Sequence, residues 1–220
     1  MKLLIILTSL FLLSAPAYAA ITHFEIDPAH SGVSFKVRHM FTPVPGSFKK
    51  FAGTFDYDPA KPKSWTADVT IETASIFTDN EKRDTHLRSG DFFDAEKFPK
   101  ITFKSKEVKN ATKKGATLLG DLTMHGVTKP VTLKVEIGGM GKDPWGGMRA
   151  GFSATTKVNR KDYGIVWNKA LDSGGMLLGD DVEISLAVEG AEPKKEEKAA
   201  EAKPAGKTED KKADDGKKKE

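Results

Sequence analysis

The residues best suited to chemistry gather between Arg83 and Phe103, in the stretch RDTHLRSGDFFDAEKFPKITF. Asp84 beside His86 could move protons, because a carboxylate next to an imidazole does acid–base work near neutral pH. With His30 and His39 brought in from elsewhere, such a pair would make an acid–base or metal-assisted enzyme. The spacing of the other groups does not help that reading. The five histidines, His23, His30, His39, His86 and His125, form no HxH, HxxxH or HExxH pattern, so no local metal motif is written in the chain. There is no GxSxG elbow, and Gly138-Gly139-Met140-Gly141 lacks the strand–loop–helix setting of a phosphate loop. No cysteine is present, which excludes thiolate nucleophiles, disulfides and Cys-ligated metals. The expectation is therefore no catalytic residue, no metal and no cofactor.

Arg83, His86 and Arg88 have a second use. An Arg fork suits the phosphate or carbonyl oxygens of a ligand head. Alternatively, Arg83 and Asp84 fix the segment to its neighbours by ion pairing, and residue types leave both readings open. Phe92, Phe93 and Phe98 either rim a cavity mouth or plug the end of a β core.

The elements that would position these groups are strands. Val33, Phe35, Val37 and His39 share one face of an alternating run, with Ser34, Lys36 and Arg38 on the other. The same alternation turns Phe55, Val69, Ile71 and Phe103 one way, and Leu122, Leu133, Val135 and Phe152 likewise. One-faced strands must turn their apolar sides toward each other, as a sandwich or a barrel. No regular strand–helix alternation appears, so a parallel α/β sheet is not expected. Short helical crossovers are expected at Asn80–Ser89 and Asn159–Gly164. Thr42–Gly46 reads as a loop, Gly138–Gly141 as a turn, and the slipped period at Lys49-Lys50 as a β-bulge. Whether the interior is filled or hollow does not follow from composition.

Both termini fall outside this pattern. Lys2, the apolar run Leu3–Leu13 and Ala17-Tyr18-Ala19 read as a cleaved secretory signal peptide over 1–19, too short to span a membrane. The mature protein is expected in the periplasm, after secretion across the inner membrane. Residues 191–220 hold ten Lys and nine acidic residues with no large apolar one, the composition of a disordered charged tail. The whole chain has 35 Lys and Arg against 31 Asp and Glu. Without the termini it is nearly neutral, so no nucleic-acid partner is expected.

Residues 20–190 resemble the YceI-like family. Asp27-Pro28-Ala29-His30-Ser31 and Val33-Ser34-Phe35-Lys36-Val37-Arg38-His39 look like its opening. Gly46-Ser47-Phe48 with Gly53-Thr54-Phe55, Arg83-Asp84 with His86-Leu87, and Asp91-Phe92-Phe93-Asp94 follow in order. Phe98-Pro99 with Ile101–Ser105, the block Gly120–Val131, Arg160 with Asp162-Tyr163-Gly164, and Val182-Glu183-Ile184 complete it. The resemblance implies an all-β, lipocalin-like antiparallel β-barrel of about eight strands with an elongated apolar lumen. It implies a non-enzymatic binder or carrier of an isoprenoid-type lipid, such as a polyprenyl quinone or polyprenyl phosphate. It also implies export, a homodimer, and transient contact with a membrane. On this reading Phe35, Val37, His39, Phe55, Val69, Ile71, Phe103, Leu122, Leu133, Val135 and Phe152 line the lumen, and Arg83, His86, Arg88, Phe92 and Phe93 meet the ligand at its mouth.

Overall fold

Strands with one apolar face have a stable arrangement when the sheet closes on itself, and this chain takes it. The computed structural model describes residues 21–193. The expected signal peptide, and the expected tail beyond Pro193, lie outside them. The elements in order are β1 (Thr22–Ile26), β2 (Gly32–His39), β3 (Thr42–Phe48), β4 (Phe51–Tyr57), β5 (Thr66–Glu72), β6 (Ile76–Phe77), the helix α1 (Glu81–Arg88), β7 (Lys100–Lys109), β8 (Gly115–Met124), β9 (Val127–Lys142), β10 (Met148–Asn159) and β11 (Leu178–Ala191). The last strand thus runs past the expected boundary at 190.

Eight strands close the ring, in the order β1-β4-β5-β7-β8-β9-β10-β11, with β1 pairing back onto β11. This is the expected antiparallel barrel. β2, β3 and β6 extend the same sheet beyond β11. β2 continues where β1 stops, because β11 pairs Gly190 with Ile26 and, further along, Ala187 with Gly32. Bulges between Ser105 and Glu107 and between Gly151 and Phe152 add the local bend that closure needs.

Three expectations about local structure are corrected. The slipped period at Lys49-Lys50 is not a β-bulge but the break between β3 and β4. Thr42–Gly46 is not a loop but most of β3, paired with β2 from Val33↔Phe48 to His39↔Thr42. Pro43 and Pro45 are two residues apart, so their missing N–H groups fall on one edge of the strand. That edge meets β6 only at Ser47 and Phe48, so no ladder bond is lost. Gly138–Gly141 is not a turn either. β9 runs through it, with Gly138 as the extra residue of the bulge and Gly139 at φ 149.

The helix appears where expected. The Asn80 side chain accepts the Arg83 backbone N–H, with Glu81 and Asp84 in the first turn and His86 and Arg88 in the last, matching the helix dipole. It fills a gap in the wall, since β6 is too short to join β3 to β7 near one end. The buried Thr73 fastens this crossover: its hydroxyl donates to Phe98 O at 2.7 Å and its N–H to Pro99 O at 3.0 Å. A 3-10 turn at Arg160–Tyr163, ended by Gly164 at φ 78, stands over the same end.

That end is called upper here. It carries Glu72↔Lys100, Met124↔Val127, Asn159↔Asp181 and Leu178↔His39. The lower end carries Thr22↔Tyr57, Met148↔Lys142 and Arg149↔Ala191. Each half has its own apolar cluster. Phe24, Ile26, Phe55, Tyr57 and Ala150 form the lower one, with Trp65, Phe152 and Val188 against it. The upper one includes Val33, Phe48, Phe92, Ile101, Leu122, Val158, Tyr163 and Ile165. Outward positions such as Ser34, Lys36 and Glu183 are exposed, so the barrel is apolar inside and polar outside, the reverse of a transmembrane barrel.

Candidate ligand-binding site

The alternation that builds the strands also decides what faces inward, and in the upper half the inward side chains do not fill the space. They enclose a cavity of about 370 Å³, within the ~300–1,000 Å³ usual for small-molecule sites. Val33, Phe35 and Val37 supply one wall from β2, and Val182, Ile184 and Leu186 continue it from β11. Val69 and Ile71, Ile101 and Phe103, Leu122 and Met124, and Val131 and Leu133 supply the others. His39 and Pro45, both exposed, also border the cavity, so it reaches the surface beside the outer edge of β3.

The floor is aromatic. Phe24 stacks on Phe55 at 5.0 Å, Phe152 meets Phe55 edge-on at 5.3 Å and Tyr57 at 5.0 Å, and Trp65 leans on Tyr57 at 4.8 Å. Such ring pairs add about 0.5–1.5 kcal/mol each beyond the area they bury.

The roof comes from the crossover and from residues 160–178. The His86 Nε2–H donates to Asp91 Oδ2 at 2.8 Å. Its ring lies edge-on to Phe92 and Trp167, both at 5.0 Å. Arg83 is held from beneath. Its Nε donates to Thr78 Oγ1 and its Nη2 to Thr78 O, each at 2.7 Å. Thr78 in turn donates its N–H and its hydroxyl to the buried carboxylate of Asp84, at 2.9 and 2.5 Å. Arg160, only 4% exposed, organises the rest of the roof. It donates to the carbonyls of Gly179, Ile165 and Trp167 at 2.8–2.9 Å and to Asp180 at 3.2 Å. Burial lowers its pKa from the ordinary value, against the pull of Asp180. Burial also pushes the Tyr163 hydroxyl up to about 12.

Of the residues expected in the lumen, Phe35, Val37, His39, Val69, Ile71, Phe103, Leu122 and Leu133 border the cavity. Phe55 and Phe152 are placed elsewhere, in the aromatic floor. Val135 does not border the cavity: it pairs with Ala116 and Ala154 lower in the barrel. Alternation gives the face of a strand, not the height along the barrel, and these three lie too low. Of the residues expected at the mouth, Arg83, His86, Phe92 and Phe93 border the cavity from its roof. Arg88 does not; it turns outward to Glu81 at 3.0 Å and Thr85.

The groups of the acid–base alternative are engaged separately. His30 pairs with Asp27 at 2.8 Å at the lower end, His86 pairs with Asp91, and Asp84 holds Thr78. His39 and His86 both border the cavity.

Sequence reasoning missed three roof residues: Ile165 and Trp167 come from an irregular segment without a period, and a short helical turn at Asn159–Gly164 does not by itself tell where the Arg160 side chain goes. It also missed a lower-end cluster. Arg149 donates to Asp27 at 2.9 Å, Glu189 at 2.7 Å and Asp143 at 3.1 Å. Arg149, followed by His30, pulls the Asp27 carboxyl down to about 2. Asp27, His30 and Glu189 each bring one ligand atom within 4.8 Å of the others, but the Arg149 guanidinium already bridges the two carboxylates.

The family model described as the YceI-like domain matches residues 24–190. A UPF0312 protein of Pseudomonas putida is 42% identical over 185 residues, covering 83% of this chain and 93% of that protein. A solved YCEI protein of Campylobacter jejuni is 34% identical with a TM-score of 0.64, over 71% of this chain and 90% of that one. BcnA of Burkholderia cenocepacia is 27% identical with a TM-score of 0.66, over 74% of this chain and 98% of that one. A polyisoprenoid binding domain from Saccharophagus degradans shares the fold at 13% identity, with a TM-score of 0.58 over 79% of this chain.

Proposed function

The chain belongs to the YceI-like family, and from that premise we propose that it is an exported, non-catalytic carrier of an isoprenoid-type lipid. The polyprenyl chain lies in the upper cavity, and its head, a quinone or a phosphate, lies near Arg83, His86 and His39. The compartment is the periplasm, where the carrier meets a membrane transiently to load and unload.

The observation that carries this reading is the apolar cavity of about 370 Å³ ringed by strands and reaching the surface at the mouth. Each buried methylene is worth about 0.8 kcal/mol, so a five-carbon isoprene unit gains roughly 4 kcal/mol before its ordering entropy is charged. A chain of several units is essentially insoluble in water and needs a cover to cross an aqueous compartment. The polar groups at the roof are largely committed to holding the roof itself, which suits sequestration better than turnover.

Organic extraction of purified protein, followed by mass spectrometry, tests the proposal. The expected result is a co-purifying isoprenoid-type lipid, or its stoichiometric uptake from added polyprenyl lipid. Lipid-free protein that takes up neither quinone nor polyprenyl phosphate would overturn it.

A further inference from the structure

The upper cavity is open although bulky phenylalanines, Phe35 and Phe103 among them, line it. The reason lies on the neighbouring strands. Phe35 is the cross-strand partner of Gly46, so both project to the lumen face. The Phe35 ring lies down across β3 onto the bare Gly46 Cα. A Cβ at Gly46 would sit 2.3 Å from Phe35 Cζ and 2.8 Å from Cε1 and Cε2. Phe103 does the same at Gly120, whose Cβ would lie 2.6 Å from two ring atoms. Glycine across the strand lets each ring lie along the wall instead of standing in the lumen.

We propose that Gly46 is a specificity-determining residue: by letting Phe35 lie flat, it sets a lumen width that admits methyl-branched chains. This rests on the lumen being the lipid site. The backbone at Gly46 is ordinary, without the positive φ seen at Gly126 or Gly164, so glycine is not required there for the turn of the chain. The three heavy atoms nearest to its Cβ would all belong to the tip of the Phe35 ring. A methyl group there forces the ring tip back by about 1 Å or more to regain ordinary contact near ~3.5 Å. The ring has one way to go. Phe48 lies beside it on its own wall at 5.8 Å, and Ile184 is its partner on β11. The free volume is the lumen. Gly120 makes a poorer test, because its Cβ would also collide with the backbone oxygen of Lys104 at 2.5 Å.

An isoprenoid chain is wider than a straight alkyl chain because of its methyl branches, so a narrowed lumen should reject the first before the second. The test is competition of geranylgeraniol, and of the straight-chain saturated alcohol of equal carbon number, against a fluorescent apolar probe. Gly46→Ala should weaken geranylgeraniol about tenfold or more, the discrimination a methyl-sized change in an apolar pocket gives. The straight chain should change by less than about twofold. Phe35→Leu added to Gly46→Ala should restore geranylgeraniol binding, which a general structural defect would not allow. If Gly46→Ala does not fold, Phe35→Trp narrows the same level from the other strand and should show the same selective loss. Equal loss of both alcohols, no loss of either, or failure of Phe35→Leu to restore binding would overturn the inference. Wild-type protein that binds neither alcohol would overturn the lumen reading itself.

Discussion

The two halves of the barrel follow one rule of alternation and end differently. In the lower half, rings from several strands meet one another: Phe24, Phe55, Tyr57, Trp65 and Phe152 form a continuous cluster of stacked, tilted and edge-on contacts. In the upper half, Phe35 and Phe103 lie on glycines of the neighbouring strands and the walls stay apart. The lower half closes the barrel and stabilises it. The upper half holds space that the protein alone does not fill. An apolar interior therefore says little about binding until it is known where its rings rest.

The comparison can be broken most sharply in the floor. Phe55→Ala should lose about 3–5 kcal/mol of stability, read from chemical denaturation, because Phe55 is buried between two other rings. A Phe55→Ala protein as stable as the wild type would mean that the floor is not a packed plug. In the upper half the large effect should fall on binding instead. Val37→Asp puts a charge in the cavity wall and should reduce lipid uptake roughly 100-fold, while the circular dichroism spectrum stays that of the wild type. Uptake equal to wild type would place the ligand elsewhere.

The roof should respond less strongly than the floor. Asp84→Ala leaves the buried Thr78 N–H and hydroxyl without their acceptor and should cost about 1–3 kcal/mol, with the loss of hydrogen-exchange protection concentrated in α1. Global loss instead would tie the roof to the floor. A smaller effect concerns pH at the lower end. Asp27 is pulled below its ordinary 3.8 to about 2 in the folded protein, so its stabilising contribution is present above 3.8 and is lost as pH falls toward 2. Arg149→Gln removes the main cause, and should flatten the dependence of the denaturation midpoint on pH in that window. An unchanged slope would contradict the assignment. The smallest effect is expected at Trp145, 87% exposed at the β9–β10 turn, where Trp145→Ser should change stability by less than about 0.5 kcal/mol.

Much of this architecture was legible in the residues. The alternation at Val33–His39 and Val182–Val188 faced the right side chains inward, and Asn80 marked the start of α1. What alternation could not give was height. Phe55, Val135 and Phe152 share the inward face with Phe35 and Phe103, yet lie below the cavity, because depth depends on the stagger of strands around the ring. Thr42–Gly46 reads as a loop because two prolines within five residues usually break a strand; that they blunt a free edge is visible only once the partners are known. Arg160 and Trp167 are not legible as roof residues, because carbonyls from outside its own 3-10 turn place the Arg160 side chain and Trp167 lies in an irregular segment. Arg149 was missed because its three acidic partners come from distant parts of the chain.

The difference between the halves can be measured with the protein's own tryptophans. Trp167 borders the cavity, Trp65 packs in the lower cluster and Trp145 is exposed. Variants keeping a single tryptophan, with phenylalanine at the other two positions, can be titrated with a polyprenyl lipid carrying a bromine quencher on its chain. The account predicts saturable quenching of Trp167, with Trp65 and Trp145 left bright. Quenching of Trp65 equal to that of Trp167, or of neither, would contradict a ligand held in the upper half.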